Sequence, residues 1–80
     1  MYEILLSNKA KSQLKKLPQQ IRNRIGSVIE RIRIKPFHFI KRKEGTPYYI
    51  LRVGDYRLIL DIKENNIFVI DLGDRKKIYK

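Results

Sequence analysis

The stretch Leu51-Arg52-Val53-Gly54-Asp55-Tyr56-Arg57-Leu58 constrains the fold of this chain more than any other. Apolar and polar residues alternate on both sides of a Gly-Asp pair, the pattern of two strands joined by a two-residue hairpin loop. With Gly54-Asp55 as that loop, Val53 faces Tyr56, Arg52 faces Arg57, and Leu51 faces Leu58. The apolar partners then share one face of the sheet, and two guanidinium groups stand opposite each other on the other. Like charges in a direct cross-strand pair are destabilising. An anion bound between them explains why a sheet would keep them, and phosphate is the obvious candidate.

The rest of the chain supplies what such a hairpin needs to stand on. At 80 residues it is read as a single domain, residues 1–80, with no repeat, low-complexity segment or Gly/Ser linker. A chain this short buries only about 60% of its unfolded surface, so its stability margin is modest. Tyr2 to Leu6 reads as a first strand and Ser7 as the cap of a helix. Ala10, Leu14 and Leu17 follow at helical spacing, with Lys9, Lys11, Lys15 and Lys16 facing outward. Pro18 stands where a second helix starts, and Ile21, Ile25, Val28, Ile29 and Ile32 form its apolar stripe, which Pro36 ends.

Residues 37–46 read as a connecting loop carrying the basic run Lys41-Arg42-Lys43. Three strands follow, at about 48–53, 56–62 and 67–72, with a second turn at Asn65-Asn66 extended by Glu64. A three-residue loop there puts Ile62 opposite Phe68, Leu60 opposite Ile70 and Leu58 opposite Leu72. The opposite face then carries Tyr48, Ile50, Arg52, Arg57, Ile59, Asp61, Val69 and Asp71. The expected fold class is α+β in the order β-α-α-β-β-β, a helical hairpin covering one face of a mostly antiparallel sheet.

Composition narrows the chemistry. Nineteen Lys and Arg against eight Asp and Glu give a formal charge of +11. Residues 1–43 contribute 12 basic and 2 acidic side chains (+10), and residues 44–80 contribute 7 and 6 (+1). A field of this size draws in nucleic acid or an acidic protein; the competing reading is a solvated, highly charged surface. There are no cysteines, so disulfides and thiolate metal sites are excluded, as suits a reducing cytoplasm. The longest apolar runs are far short of the roughly 20 residues a membrane span requires, and the N-terminus lacks a signal-peptide pattern.

A single histidine, His38, lies between Phe37 and Phe39 and reads as a packed loop residue, without a triad partner or second metal ligand. Asp61 and Asp71 are the carboxylates on the arginine-bearing face, and neutralising Arg52 and Arg57 is the simplest use for them. No cofactor or metal is expected. What remains is a cationic surface with tyrosines: Tyr48, Arg52, Arg57, Arg75 and Tyr79. Arginine stays protonated across the physiological range and a phenol keeps its proton there, so such a set catalyses by orientation and charge. Against this stand plainer uses. Arg57 can pair with Asp71, Arg52 can be a solvated charge, Arg75 can belong to an exposed run and Tyr79 can pack a terminus.

Those residues also carry a family resemblance that spans essentially the whole chain. It resembles the RelE/ParE toxin superfamily of toxin–antitoxin systems, the RelE branch in particular. Tyr2-Glu3-Ile4 with Ser7, the Leu17-Pro18 junction, the helix ending near Pro36, Leu51 to Arg57, and Gly73-Asp74-Arg75-Lys76-Lys77-Ile78-Tyr79 follow the family pattern in order.

The resemblance implies a toxin that enters the ribosomal A site and cleaves translated mRNA without metal, by attack of the 2′-hydroxyl. Arg57 resembles the arginine at the scissile phosphate, Arg75 the arginine at the leaving group, and Tyr79 the tyrosine that stacks on substrate. Arg52 supports the same face. RNA and ribosome contacts are expected from Lys9, Lys11, Lys15, Lys16, Arg22, Lys41, Arg42, Lys43, Tyr48, Lys76 and Lys77. Tyr48 and Ile50 stand where well-studied members carry lysines, which leaves the general base unassigned; Lys41, Arg42 or Lys43 are the candidates for restoring charge. The family also implies an acidic, RelB-like antitoxin as partner, a toxin–antitoxin hetero-oligomer and a cytoplasmic location. Two alternatives stand beside the nuclease: a ParE-like toxin of DNA gyrase, and a basic RNA-binding module that has lost catalysis.

Overall fold

The computed structural model describes residues 1–74. Strand β1 (Glu3–Leu6) runs directly into helix α1 (Asn8–Lys15), whose start Ser7 fixes. The Ser7 hydroxyl accepts the Ala10 N–H at 3.0 Å, satisfying one of the first-turn donors that a helix leaves unpaired. Helix α2 (Gln19–Ile32) begins one residue later than the start expected at Pro18, and Pro18 serves as its N-cap. Its carbonyl accepts from Ile21 and Arg22, and its missing N–H costs nothing at a helix start.

A 3₁₀ turn at Pro36–His38 leads to β2 (Ile40–Arg42), followed by β3 (Tyr49–Val53), β4 (Tyr56–Lys63) and β5 (Asn66–Asp74). The strands form one sheet in the order β1-β5-β4-β3-β2. β1 pairs with β5 in parallel, and every other pairing is antiparallel. The class is α+β: two helices packed on a mixed five-stranded sheet.

The core lies between the helices and one face of the sheet. Ala10, Ile25 and Ile32 meet Leu51, Val53, Leu58, Leu60, Ile67, Val69 and Leu72, all buried. Leu14, Leu17, Ile21, Val28 and Ile29 pack around this centre from the helical stripes. A side chain buried at such a position contributes about 1.5–3 kcal/mol relative to leaving it in water.

The Gly54-Asp55 hairpin forms in the expected register: Val53 opposite Tyr56, Arg52 opposite Arg57, Leu51 opposite Leu58. Gly54 supplies the left-handed backbone that the turn requires, at φ +60°.

The structure corrects the sequence reading in several places. The segment read as a loop at 37–46 contains β2, which extends the sheet at its edge by pairing Ile40 with Leu51, Lys41 with Ile50 and Arg42 with Tyr49. The second turn is a two-residue loop, Glu64-Asn65, closed by the Lys63–Asn66 pair, with Glu64 at φ +56°. Ile62 therefore faces Ile67 and Leu60 faces Val69, instead of Phe68 and Ile70. A bulge at Ile70 then shifts the register by one, so Leu58 does meet Leu72. Val69 consequently belongs to the core and not to the arginine-bearing face. His38 is exposed at the end of the 3₁₀ turn instead of packed.

β5 extends beyond the end of β1, and α1 covers the edge it leaves. Ser7 donates its hydroxyl to the Ile70 carbonyl at 2.7 Å, and the Leu72 N–H donates to Gln13 Oε1 at 3.0 Å. Gln13 Nε2 and Lys9 Nζ hold the two carboxylate oxygens of Asp71 at 2.8 and 3.3 Å. Unpaired strand edges invite pairing with other chains, and side chains from a neighbouring helix remove that hazard here. Among the described residues no helix is long and apolar enough to cross a membrane.

Candidate nucleic-acid interface

The face of the sheet turned away from the helices carries the charge. Alternation along β3 places Ile50 and Arg52 there; along β4 it places Arg57, Ile59 and Asp61. β2 adds Lys41, directly opposite Ile50. Lys41, Ile50, Arg52 and Arg57, with Phe39 from the residue before β2, line a pocket of about 160 Å³. Among the described residues its lining holds three cations, one aromatic ring and no carboxylate.

The two opposed arginines avoid each other by taking different environments. Arg52 is exposed, while Arg57 is 5% exposed, a buried charged residue. Arg57 Nη1 donates to the carbonyls of Gly54 and Tyr56 at 3.3 and 3.2 Å, which ties the guanidinium to the hairpin turn. Burying a guanidinium is costly unless its donors are satisfied, and backbone carbonyls serve that purpose.

The carboxylates expected to neutralise this pair go elsewhere. Asp71 is held by Lys9 and Gln13 of α1, and Asp61 pairs with Lys63 at 3.7 Å. Among the described residues neither Arg52 nor Lys41 makes an ion pair. Such a surface accepts anions: planar guanidinium forks bind phosphate oxygens bidentately, and an ammonium adds a point charge.

The basic run 41–43 does not act as a unit. Lys41 joins the pocket, whereas Arg42 lies over the Tyr49 ring at 5.8 Å from its centroid. Lys43 is engaged through its backbone, its N–H donating to the Tyr48 carbonyl at 2.9 Å. Tyr48 itself is half-buried just before β3. Lys9, Lys11, Lys15 and Lys16 are exposed on α1, in the helical layer and apart from the arginine-bearing face. Arg22 is half-buried on α2, where it donates to Gln19. Arg75, Lys76, Lys77 and Tyr79 lie outside the described residues.

Of the pocket residues, Phe39 is not expected from the sequence; Lys41 is, as a candidate for restoring charge, but without a strand to place it. Phe39 and Lys41 come from a segment with too short an alternation to announce a strand, and only its pairing with β3 brings them beside Arg52. A second concavity of about 410 Å³ opens between α1 and the ends of β4 and β5, lined by Gln13, Lys16, Leu17, Tyr56, Leu72, Gly73 and Asp74. Among the described residues no three His, Cys, Asp or Glu side chains converge as metal ligands.

Comparison with known proteins gives this geometry a context. The sequence model described as the ParE toxin of the type II toxin–antitoxin system parDE matches residues 4–79. No curated protein sequence matches the chain. In fold, the chain is similar to one in the RelB–RelE antitoxin–toxin complex of Methanococcus jannaschii, at 29% identity and a TM-score of 0.77, covering 95% of each chain. It is likewise similar to a chain of the intact E. coli RelBE toxin–antitoxin complex, at 25% identity and TM-score 0.78, covering 92% of this chain and 96% of that one. The isolated E. coli RelE toxin shares the fold at 19% identity and TM-score 0.77, over 92% of this chain and 84% of that one. A family match over nearly the whole length, joined to this two-layer fold, places the chain in the RelE/ParE superfamily of toxins of type II toxin–antitoxin systems.

Proposed function

We propose that this toxin is a ribosome-dependent, metal-independent endoribonuclease that cleaves translated mRNA. The observation that carries the reading is the pocket where Lys41, Arg52 and Arg57 converge with no carboxylate among the described residues of the lining. A phosphodiester seated there would have its charge met by guanidinium groups already in place, and preorganised charge is usually the largest single contribution to such catalysis.

In the reaction the 2′-oxygen forms a bond to phosphorus, the bond from phosphorus to the 5′-oxygen breaks, and the 2′-proton leaves as the 5′-oxygen gains one. Arg57, buried and tied to the turn, stabilises the pentacoordinate transition state. Arg52, exposed beside it, draws in and orients the phosphate. By resemblance, Arg75 serves the leaving oxygen and Tyr79 stacks on the RNA. The α1 lysines form a separate basic surface suited to ribosomal RNA, since phosphate contacts position a nucleic acid without reading its sequence.

The similar solved structures include RelB–RelE complexes, so an acidic cognate antitoxin is the partner proposed for this chain. It would silence the toxin by covering Arg57 and Arg75 or by displacing the segment around Tyr79. Such a pair operates in the cytoplasm, where ribosomes are.

One observation favours a second reading: the matching family is described as ParE, whose resemblance implies DNA gyrase as target. The test adds purified protein to a translation extract and maps mRNA 5′ ends. New in-frame ends that disappear with Arg57→Ala and Arg75→Ala are expected. Intact message together with gyrase-dependent DNA breaks would overturn the nuclease reading.

A further inference from the structure

The chain keeps an aromatic ring in water at the mouth of its cationic pocket. Phe39 is 45% exposed, forgoing the burial that a phenylalanine normally obtains. Its backbone is nevertheless fixed on both sides. The Phe39 N–H donates to the Pro36 carbonyl at 3.0 Å, Pro36 is buried, and Ile40 pairs with Leu51 at the start of β2. The neighbouring Phe37 is also exposed, yet it meets Tyr49 edge-on with centroids 5.6 Å apart. Among the described residues Phe39 makes no ring contact; it faces the pocket with Lys41, Arg52 and Arg57.

We propose that Phe39 is a stacking platform for one base of single-stranded RNA, holding the nucleotide whose phosphate lies on Lys41, Arg52 and Arg57. The proposal rests on the RNA-binding reading above and specifies its site. A rigidly mounted aromatic ring beside basic groups is how proteins hold unpaired bases, because the ring takes the π-face while cations take the backbone. The pocket's size suits one such unit. At about 160 Å³ it is smaller than the roughly 300–1,000 Å³ that encloses a drug-sized ligand. A base–ring contact is tolerant of sequence, so this platform orients the RNA without selecting its bases.

Lys41 gains a definite place in this arrangement. It sits opposite Ile50, on the edge strand, and supplies to the pocket the cation that β3 lacks at that position.

The chain contains no tryptophan, so Phe39→Trp introduces a single fluorophore at the platform. The probe is a short single-stranded RNA fully 2′-O-methylated, which cannot be cleaved, alongside an abasic oligomer of equal charge. Stacking quenches the tryptophan with the base-bearing oligomer and leaves it unchanged with the abasic one. Phe39→Leu is expected to weaken binding of the base-bearing oligomer about tenfold and leave the abasic one unaffected.

Binding seen by anisotropy without quenching would overturn the proposal, as would equal affinities of Phe39→Leu and the parent protein for the base-bearing oligomer. Absence of any oligomer binding overturns it too. Quenching in a protein whose parent leaves mRNA intact in a translation extract supports the platform and removes only the nuclease reading.

Discussion

Arg52 and Arg57 stand directly opposite each other across β3 and β4, one in water and the other 5% exposed against the turn carbonyls of Gly54 and Tyr56. A directly opposed pair of like charges costs stability. The structure limits that cost by separating environments: one guanidinium is solvated, and the other is spent on the backbone. The buried member is fixed in place before any ligand arrives, which is the requirement for stabilising a transition state.

Replacing Arg57 therefore has the larger catalytic consequence. Arg57→Ala is expected to lower the cleavage rate by about 10²–10³, the scale of losing one preorganised donor to developing charge. Arg57→Lys recovers little, because an ammonium lacks the planar fork that would meet phosphate oxygens bidentately while one nitrogen, Nη1, stays on the two carbonyls. Single-turnover cleavage of a programmed message measures both, with thermal melts of the purified proteins run alongside. Full activity in the lysine variant would contradict the argument.

Arg52→Ala should behave in the opposite way. Its loss relieves the like-charge pair, so stability holds to within about 0.5 kcal/mol or rises. RNA affinity falls across all sequences, and the slope of log affinity against log salt shrinks by about 0.7, one single-strand phosphate contact. Fluorescence titrations at several salt concentrations read this slope.

Gln13 is expected to matter far more to stability than its neighbouring lysine. Gln13→Ala leaves the Leu72 N–H without its acceptor and takes one donor from Asp71, at a cost of about 1–3 kcal/mol. Lys9→Ala removes only an exposed ion pair, and its effect stays within about 1 kcal/mol. Urea denaturation of both variants decides the ranking.

The two hairpin turns give opposite predictions for glycine. Glu64 sits at φ +56°, where a non-glycine residue is strained by about 1–2 kcal/mol. Part of that gain is offset by glycine's greater unfolded freedom, so Glu64→Gly should stabilise by about 0.5–1 kcal/mol. Gly54→Ala is destabilising by about 1–2 kcal/mol at φ +60°. The added Cβ also comes to 3.1 Å from Arg24 Nη1, but the tip of a flexible side chain can move away. Melting temperatures of the two variants should shift in opposite directions.

How far the sequence could be read depended on how local each signal was. The Gly54-Asp55 hairpin, the Ser7 cap and the helical stripes are specified by neighbouring residues, and each forms as its pattern dictates. The turn at Glu64-Asn65 shows where that logic fails. A one-residue difference in loop length exchanges the two faces of a strand, which moved Val69 into the core. The bulge at Ile70 then restored Leu58 to Leu72, a correction that no local pattern announces.

The sequence alone determined a basic chain with a helical hairpin, an arginine pair on one sheet face and the pattern of a toxin family. Tertiary structure decided which cations meet and what surrounds them. β2 is three residues long, too short for its own alternation to specify a strand, and it forms by pairing with β3. That pairing carries Phe39 and Lys41 to the pocket, while α1 captures Asp71 away from it. Whether Arg57 is buried or Arg52 solvated depends on packing between segments distant in the chain, and burial belongs to that packing rather than to the spacing of residues along a strand.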